Sequence, residues 1–316
     1  MNDNRFELVS ALQDPDRHDR PAARQRLETH LPPHTLLDFK QSAKYFRLDK
    51  NLEIAINMAL AVGAPLLLTG EPGTGKTQVA YYLGWYFDDI PVFAYQVRST
   101  STAEDMKYDF DAVAYLRTAQ DTATGKASRR QDFLRQKALW QAYECPTPSV
   151  LLIDEIDKAP RDFPNDLLLE LDKHRFRHPF EDRDIAYSAP RPPIVVITSN
   201  AERRLPDAFL RRCIYYHIEL TEELVRAALA AWNRNPDFPD TRAIQEVALE
   251  KFMDLRAQEA IQKKPATAEL LVWLAILSAR GVTAEKLRDC KLNDLPAKEA
   301  LIKDIEDRKR LDDYFR

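Results

Sequence analysis

Eight residues, Gly70-Glu71-Pro72-Gly73-Thr74-Gly75-Lys76-Thr77, carry the types and spacing G-x-x-x-x-G-K-[ST], the pattern of a loop that cradles phosphate groups. Glycines let the backbone turn until successive N–H groups converge on anionic oxygens at the positive end of the helix that follows. Lys76 then meets the β- and γ-phosphates of a nucleoside triphosphate, and the Thr77 hydroxyl meets Mg²⁺. The chain has only seven glycines and three of them fall in this loop, so a surface turn that matches by composition is the poorer explanation.

A second group of chemical residues is Asp154-Glu155, which ends the apolar run Val150-Leu151-Leu152-Ile153. An aspartate at the tip of a neighbouring strand reaches the shell of a nucleotide-bound Mg²⁺, and the adjacent glutamate polarises an attacking water. Binding needs only the first carboxylate; the second points to hydrolysis. A solvated acidic turn formed by Asp154, Glu155 and Asp157 is the competing reading, and the phosphate loop upstream weighs against it.

Thr198-Ser199-Asn200 ends another apolar run, where open α/β sheets bind ligands. Asn200 is either an ordinary turn residue or a group that orients the water from the γ-phosphate side. Arg211-Arg212 closes the short helical pattern Pro206-Asp207-Ala208-Phe209. The pair serves either the helix macrodipole or the charge on a transferring phosphoryl group, in the latter case across a subunit boundary; spacing alone leaves both open.

These groups need strands that end near one another. Pro65–Leu68, Pro91–Val97, Ser149–Ile153, Ile194–Thr198 and Cys213–Ile218 read as short apolar strands, and helical patterns between them imply a parallel α/β sheet covered on both faces. Asp49 is placed to cap a helix that would put Leu52, Ile54, Ala55, Met58 and Ala59 on one face. Alternation around Tyr108–Tyr115, a loop at Thr122–Gly125 and a helix marked by Phe133, Leu134, Ala138, Leu139 and Ala142 follow. His174–Ser188 reads as a hairpin or long loop.

Beyond Leu220 the strand signal stops. Glu222–Trp232, Thr241–Gln262, Thr267–Ala279 and Pro296–Phe315 are helical in pattern, which implies an all-α part. The expected division is residues 1–47 as an N-terminal extension with a short helix at Ala22–His30 between prolines 15, 21, 32 and 33, residues 48–220 as the α/β domain, and residues 221–316 as the helical domain.

Composition narrows the remaining classes. Length allows two domains, and the net charge of −4, with both signs mixed along the chain, announces no nucleic-acid footprint. No run approaches a membrane span and no secretory pattern opens the chain, so a cytoplasmic location and no membrane partner are expected. Cys145, Cys213 and Cys290 form no C-x-x-C pair and read as reduced, structural thiols, leaving Mg²⁺ as the one metal expected.

Taken together, Gly70–Thr77, Leu151–Glu155, Ile197–Asn200 and Leu205–Arg212 resemble the ordered signature of an AAA+ ATPase, over roughly Leu48 to Arg280. Pro65–Thr77 together with Asp154-Glu155-Ile156-Asp157-Lys158-Ala159 resembles the MoxR branch. The resemblance implies a five-stranded parallel sheet in the order 5-1-4-3-2, a helical lid, and a ring of about six subunits with ATP and Mg²⁺ at each interface. It makes Lys76 and Thr77 the Walker A residues, Asp154 and Glu155 Walker B, Asn200 sensor 1, and Arg211 or Arg212 the finger acting in trans, with Arg212 preferred because it lies next to the last strand. It also makes Lys107–Gln131 and Phe176–Pro190 the places of two inserts that line a pore. One departure stands out: the lid lacks the sensor 2 arginine, and Lys264 is the cation nearest that place.

The function this resemblance implies is a chaperone-like motor that remodels or activates a protein client, often one with a von Willebrand A-type domain. The runner-up is a nucleic-acid-handling ATPase subunit of a restriction or defence complex. A non-hydrolysing scaffold conflicts with Glu155. A GTPase conflicts with the absence of an N-K-x-D string.

Overall fold

The computed structural model describes residues 19–30, 42–120, 129–235 and 238–315. Helix α1 is Arg20–His30; the prolines at 15, 32 and 33 and the loop expected at Thr122–Gly125 lie outside the described residues. The chain divides into two compact units: Leu48–Glu219, and the region from Leu220 onward together with the described residues before Leu48.

In the first unit, helix α2 (Lys50–Val62) starts where expected: the Asp49 carboxylate accepts the N–H groups of Asn51 and Leu52, each at 2.9 Å, satisfying donors that a helix start leaves unpaired. Its buried stripe is Leu52, Ala55, Ile56 and Ala59, whereas Ile54 and Met58 are each 48% exposed. The expected face was therefore rotated. Positions 52, 55, 56 and 59 follow the i, i+3, i+4, i+7 rule, and 54 and 58 fall beside that stripe.

Strand β1 (Leu66–Gly70) is buried throughout, as a central strand covered on both faces must be. Then come α3 (Lys76–Tyr86), β2 (Val92–Gln96), β3 (Tyr108–Phe110), α4 (Ala112–Gln120), β4 (Leu134–Gln136), α5 (Ala138–Glu144) and β5 (Val150–Asp154). After β5 lie α6 (Phe163–Asp166), α7 (Leu168–Lys173), β6 (Arg175–Arg177), β7 (Asp184–Ala186), β8 (Ile194–Ser199), α8 (Asp207–Leu210) and β9 (Ile214–Ile218). The main sheet runs β2-β5-β8-β1-β9 with every pairing parallel. Counting only these five strands in chain order, this is the expected 5-1-4-3-2. Inward-facing Leu67, Leu151, Ile153, Val195 and Ile197 share one core with Leu139 and Tyr143 of α5, while α3 packs against β5, β8 and β1.

Two small antiparallel hairpins, β3 with β4 and β6 with β7, interrupt this frame. The second makes 174–188, read as a hairpin or a long loop, a hairpin. The first corrects two readings: Tyr108–Phe110 is a strand of three residues followed by helix α4, and α5 starts only at Ala138. Phe133 closes a 3₁₀ turn and Leu134 opens β4, because Leu134 pairs with Phe110 across the hairpin.

The second unit contains α9 (Glu222–Trp232), α10 (Arg242–Ala257), α11 (Thr267–Ala279), α12 (Ala284–Asp289) and α13 (Ile305–Tyr314), around a core that includes Leu229, Phe252, Trp273, Leu277 and Leu311. Two helices are shorter than expected. α10 ends at Ala257, where Gln258 turns to an extended conformation, and α13 begins only after Asp304, whose carboxylate caps the N–H groups of Glu306 and Asp307.

Candidate functional site

The loop between β1 and α3 depends on glycine. Gly70 sits at φ +150°, and a Cβ there would lie 2.5 Å from the Ile218 carbonyl oxygen of neighbouring β9. Gly75, the residue before α3, sits at φ +89°, the left-handed region that side chains disfavour. Within the loop the Thr74 hydroxyl donates to the Glu71 carbonyl at 2.9 Å, and Thr74 is buried while Glu71, Pro72 and Gly73 are exposed.

Lys76 is 6% exposed. Its ammonium donates to the carbonyl oxygens of Gly70 at 2.9 Å and Glu71 at 2.8 Å, so it lies back over the loop. Burial draws its pKa below the ordinary lysine value, against the pull of Asp157, Asp154, Glu155 and Glu71. Four carboxylates around one buried ammonium leave the phosphate loop and the end of β5 with an excess of negative charge.

Thr77 and Asp154 meet directly: the Thr77 hydroxyl donates to Asp154 Oδ1 at 2.9 Å. The same oxygen accepts from Thr198 at 2.6 Å, and the Thr198 hydroxyl in turn accepts the Glu155 N–H at 2.9 Å. Thr198 thus joins β8 to the acidic tip of β5, a part of the site that the sequence reading did not single out.

Glu155 leaves the strand at φ +59°, ψ +50°, a left-handed backbone unusual for a side chain of this length. Its Oε2 accepts from Gln96 Nε2 at 2.5 Å and from the Lys158 ammonium at 2.6 Å; its Oε1 accepts from Asn200 Nδ2 at 3.3 Å. The hydrogen bond to Glu155 holds the Lys158 ammonium above its usual pKa. Asp157, 2% exposed, accepts the backbone N–H groups of Asn200 at 3.2 Å and Glu202 at 3.1 Å, fixing the loop after β8 against the turn after β5. Gln96 had no visible signal and enters only because β2 pairs with β5, opposite Asp154; Lys158 stood within the stretch 154–159 that carries the resemblance, with no role assigned.

The fold therefore gathers Gly70, Lys76, Thr77, Asp154, Glu155 and Asn200 at one end of the sheet. Arg211 and Arg212 stand apart from this cluster. Arg212 donates from Nε to Asp172 at 2.7 Å and from Nη1 to the Ala208 carbonyl at 2.8 Å, while Arg211 is exposed. In the second unit Lys264 lies in the loop between α10 and α11. Buried Asp307 anchors that loop by accepting the N–H groups of Gln262 at 3.2 Å and Lys263 at 2.8 Å. The three cysteines are free, and burial, aided by Asp172, pushes the Cys213 thiol up to about 12. No helix among the described residues is long and apolar enough to cross a membrane.

Comparison with known proteins bears on this geometry. Residues 65–213 match the family model described as AAA domain (dynein-related subfamily), a span that contains every residue of the cluster. Similar solved structures include a point mutant of RuvB from Thermotoga maritima, at TM-score 0.39 and 15% identity over 78% of this chain and 72% of that one. Another is NtrX from Brucella abortus in complex with ADP, at TM-score 0.39 and 14% identity over 89% of this chain and 58% of that one. No curated protein matches the chain.

Proposed function

We propose that this AAA-domain chain is a MoxR-like ATPase that hydrolyses ATP at the interfaces of a ring, six-membered by the same resemblance, and uses the cycle to remodel or activate a protein client. The observation that carries the reading is the bond from Thr77 to Asp154 at 2.9 Å, with Glu155 and Asn200 beside it. It joins the phosphate cradle to the metal-side carboxylate, and the adjacent Glu155 is the group that a pure binding loop does not need.

Residues 70–77 hold the triphosphate in this reading. Their backbone N–H groups meet the phosphate oxygens at the start of α3, and Lys76 exchanges the carbonyls of Gly70 and Glu71 for the β- and γ-phosphates. The Thr77 hydroxyl and Asp154 carboxylate are hard oxygen donors beside each other, the set that suits Mg²⁺ shared with substrate phosphates. When bound, the ion neutralises charge on the β- and γ-oxygens.

Glu155 takes a proton from water as the water oxygen bonds to the γ-phosphorus. The bond to the β–γ bridging oxygen breaks, and ADP keeps its electron pair. Asn200 orients the water from the other side. Arg212, or Arg211 next to it, completes the neighbouring subunit's site, and the helical unit after Leu220 acts as a lid. Contacts to the γ-phosphate that exist in only one nucleotide state supply the free-energy difference by which client contacts are switched. A von Willebrand A-type protein is the client class this reading favours.

Mixing tests the interface part. Rings made from Arg212→Ala chains alone, or from Lys76→Ala chains alone, are expected to be nearly inactive. A 1:1 mixture should regain about a quarter of the wild-type rate, the fraction of random head-to-tail interfaces that pair an intact Lys76 with an intact Arg212. No recovery at any ratio, with mixed rings shown to form by size-exclusion chromatography, would contradict assignment of Arg212 as the finger.

A further inference from the structure

Glu155 is held in a way that the hydrolytic reading does not require. Both short hydrogen bonds to its carboxylate, from Gln96 at 2.5 Å and Lys158 at 2.6 Å, fall on Oε2. Among the described residues, Oε1 has only the 3.3 Å contact from Asn200. The two oxygens of one carboxylate are therefore not equivalent: one is committed, and the other keeps lone-pair capacity on the side of Asn200.

Lys158 is placed for this by backbone geometry. It closes the 3₁₀ turn Ile156–Lys158, with its N–H on the Glu155 carbonyl at 3.0 Å, and in such a turn residues three apart eclipse one another. The turn is itself fixed, because Asp157 inside it binds the N–H groups of Asn200 and Glu202. Gln96 approaches from the end of β2. An ammonium on a fixed turn and an amide on a fixed strand thus grip one oxygen and oppose rotation of the carboxylate about its last torsion, which is otherwise soft.

We propose that Lys158 is a positioning residue for hydrolysis: with Gln96 it holds Oε2 of Glu155 so that Oε1 faces the attacking water beside Asn200. The inference rests on the reading of Glu155 as the group that activates water. Lys158 touches neither water nor nucleotide in this role. Misplacement of a reacting group by about 1 Å can cost on the order of 100-fold in rate, so loss of one of two restraints on Glu155 falls within reach of a kinetic assay.

The test compares Lys158→Met, Lys158→Arg and Glu155→Gln in the full-length chain, with Mg²⁺ and ATP, by steady-state phosphate release and by equilibrium binding of ATP. Lys158→Met is expected to lower kcat about tenfold, with KM and ATP affinity within about twofold of wild type. Lys158→Arg, which retains a cationic donor, should recover most of the rate. A double Lys158→Met/Glu155→Gln variant should be no slower than Glu155→Gln alone, because Lys158 acts only through Glu155. An unchanged or raised kcat in Lys158→Met, while Glu155→Gln is inactive, would overturn the inference and leave the hydrolytic reading standing. Full hydrolysis by Glu155→Gln would instead remove the reading, and the inference with it. Intact ATP binding by Lys158→Met separates loss of positioning from loss of fold.

Discussion

Glu155→Gln is expected to bind ATP as tightly as the wild-type chain and to hydrolyse it about 10²- to 10⁴-fold more slowly, the range for loss of a general base. That loss is about 3–5 kcal/mol of transition-state stabilisation. The separation follows from where Glu155 is held. Its carboxylate bonds to Gln96, Lys158 and Asn200, whereas the phosphate cradle is built from residues 70–77. Glutamine keeps the volume and a carbonyl acceptor for Gln96 and Lys158, giving up only the 3.3 Å contact from Asn200, but it cannot take a proton from water. Phosphate release and equilibrium ATP binding on the same preparation check this. Comparable losses in both would mean that Glu155 supports the cradle instead.

Gly70→Ala is expected to remove nucleotide binding and to destabilise the α/β unit. The new Cβ would stand 2.5 Å from the backbone carbonyl of Ile218, and a β9 strand paired residue for residue with β1 has no side chain there to swing aside. The backbone at φ +150° adds about 1–3 kcal/mol of strain for a residue with a side chain. Relief requires the end of β1 to move, carrying with it the carbonyl that Lys76 now binds. A fall in ATP affinity of more than tenfold is expected, with a Tm lowered by about 2–4 °C for each kcal/mol of strain. Wild-type affinity in calorimetry would show that the loop does not use the Gly70 geometry when nucleotide is bound.

Much of the site is legible in the chain because its signals are local. The glycines and Lys76-Thr77 lie within eight residues, and a strand that is buried on both faces announces itself as an apolar run, so Asp154 and Asn200 could be placed at strand ends before the topology was known. The partners of those residues are not local. Gln96 belongs to the site through the β2–β5 pairing, and Thr198 through a hydroxyl reaching from β8 to Asp154; neither type carries a pattern of its own. Lys158 stands in the sequence within the stretch 154–159 that carries the resemblance, and only the 3₁₀ geometry puts it on Glu155. The same reason obscured the first hairpin: Tyr108 pairs with Gln136 across a long polar stretch, and three-residue strands are too short to show a period. In α2 the helix and its cap were readable, but apolar residues on adjacent faces concealed which stripe is buried.

The proposed hydrolysis of ATP takes place at the loop that Lys76 closes. Release of inorganic phosphate from ATP by the purified full-length chain, with and without Mg²⁺, and in parallel by Lys76→Ala, tests it most directly. Mg²⁺-dependent release by the wild-type chain, reduced to background by Lys76→Ala or by chelation, is the predicted result. Equal release by Lys76→Ala, or no release by a wild-type chain that binds ATP and assembles, would contradict it.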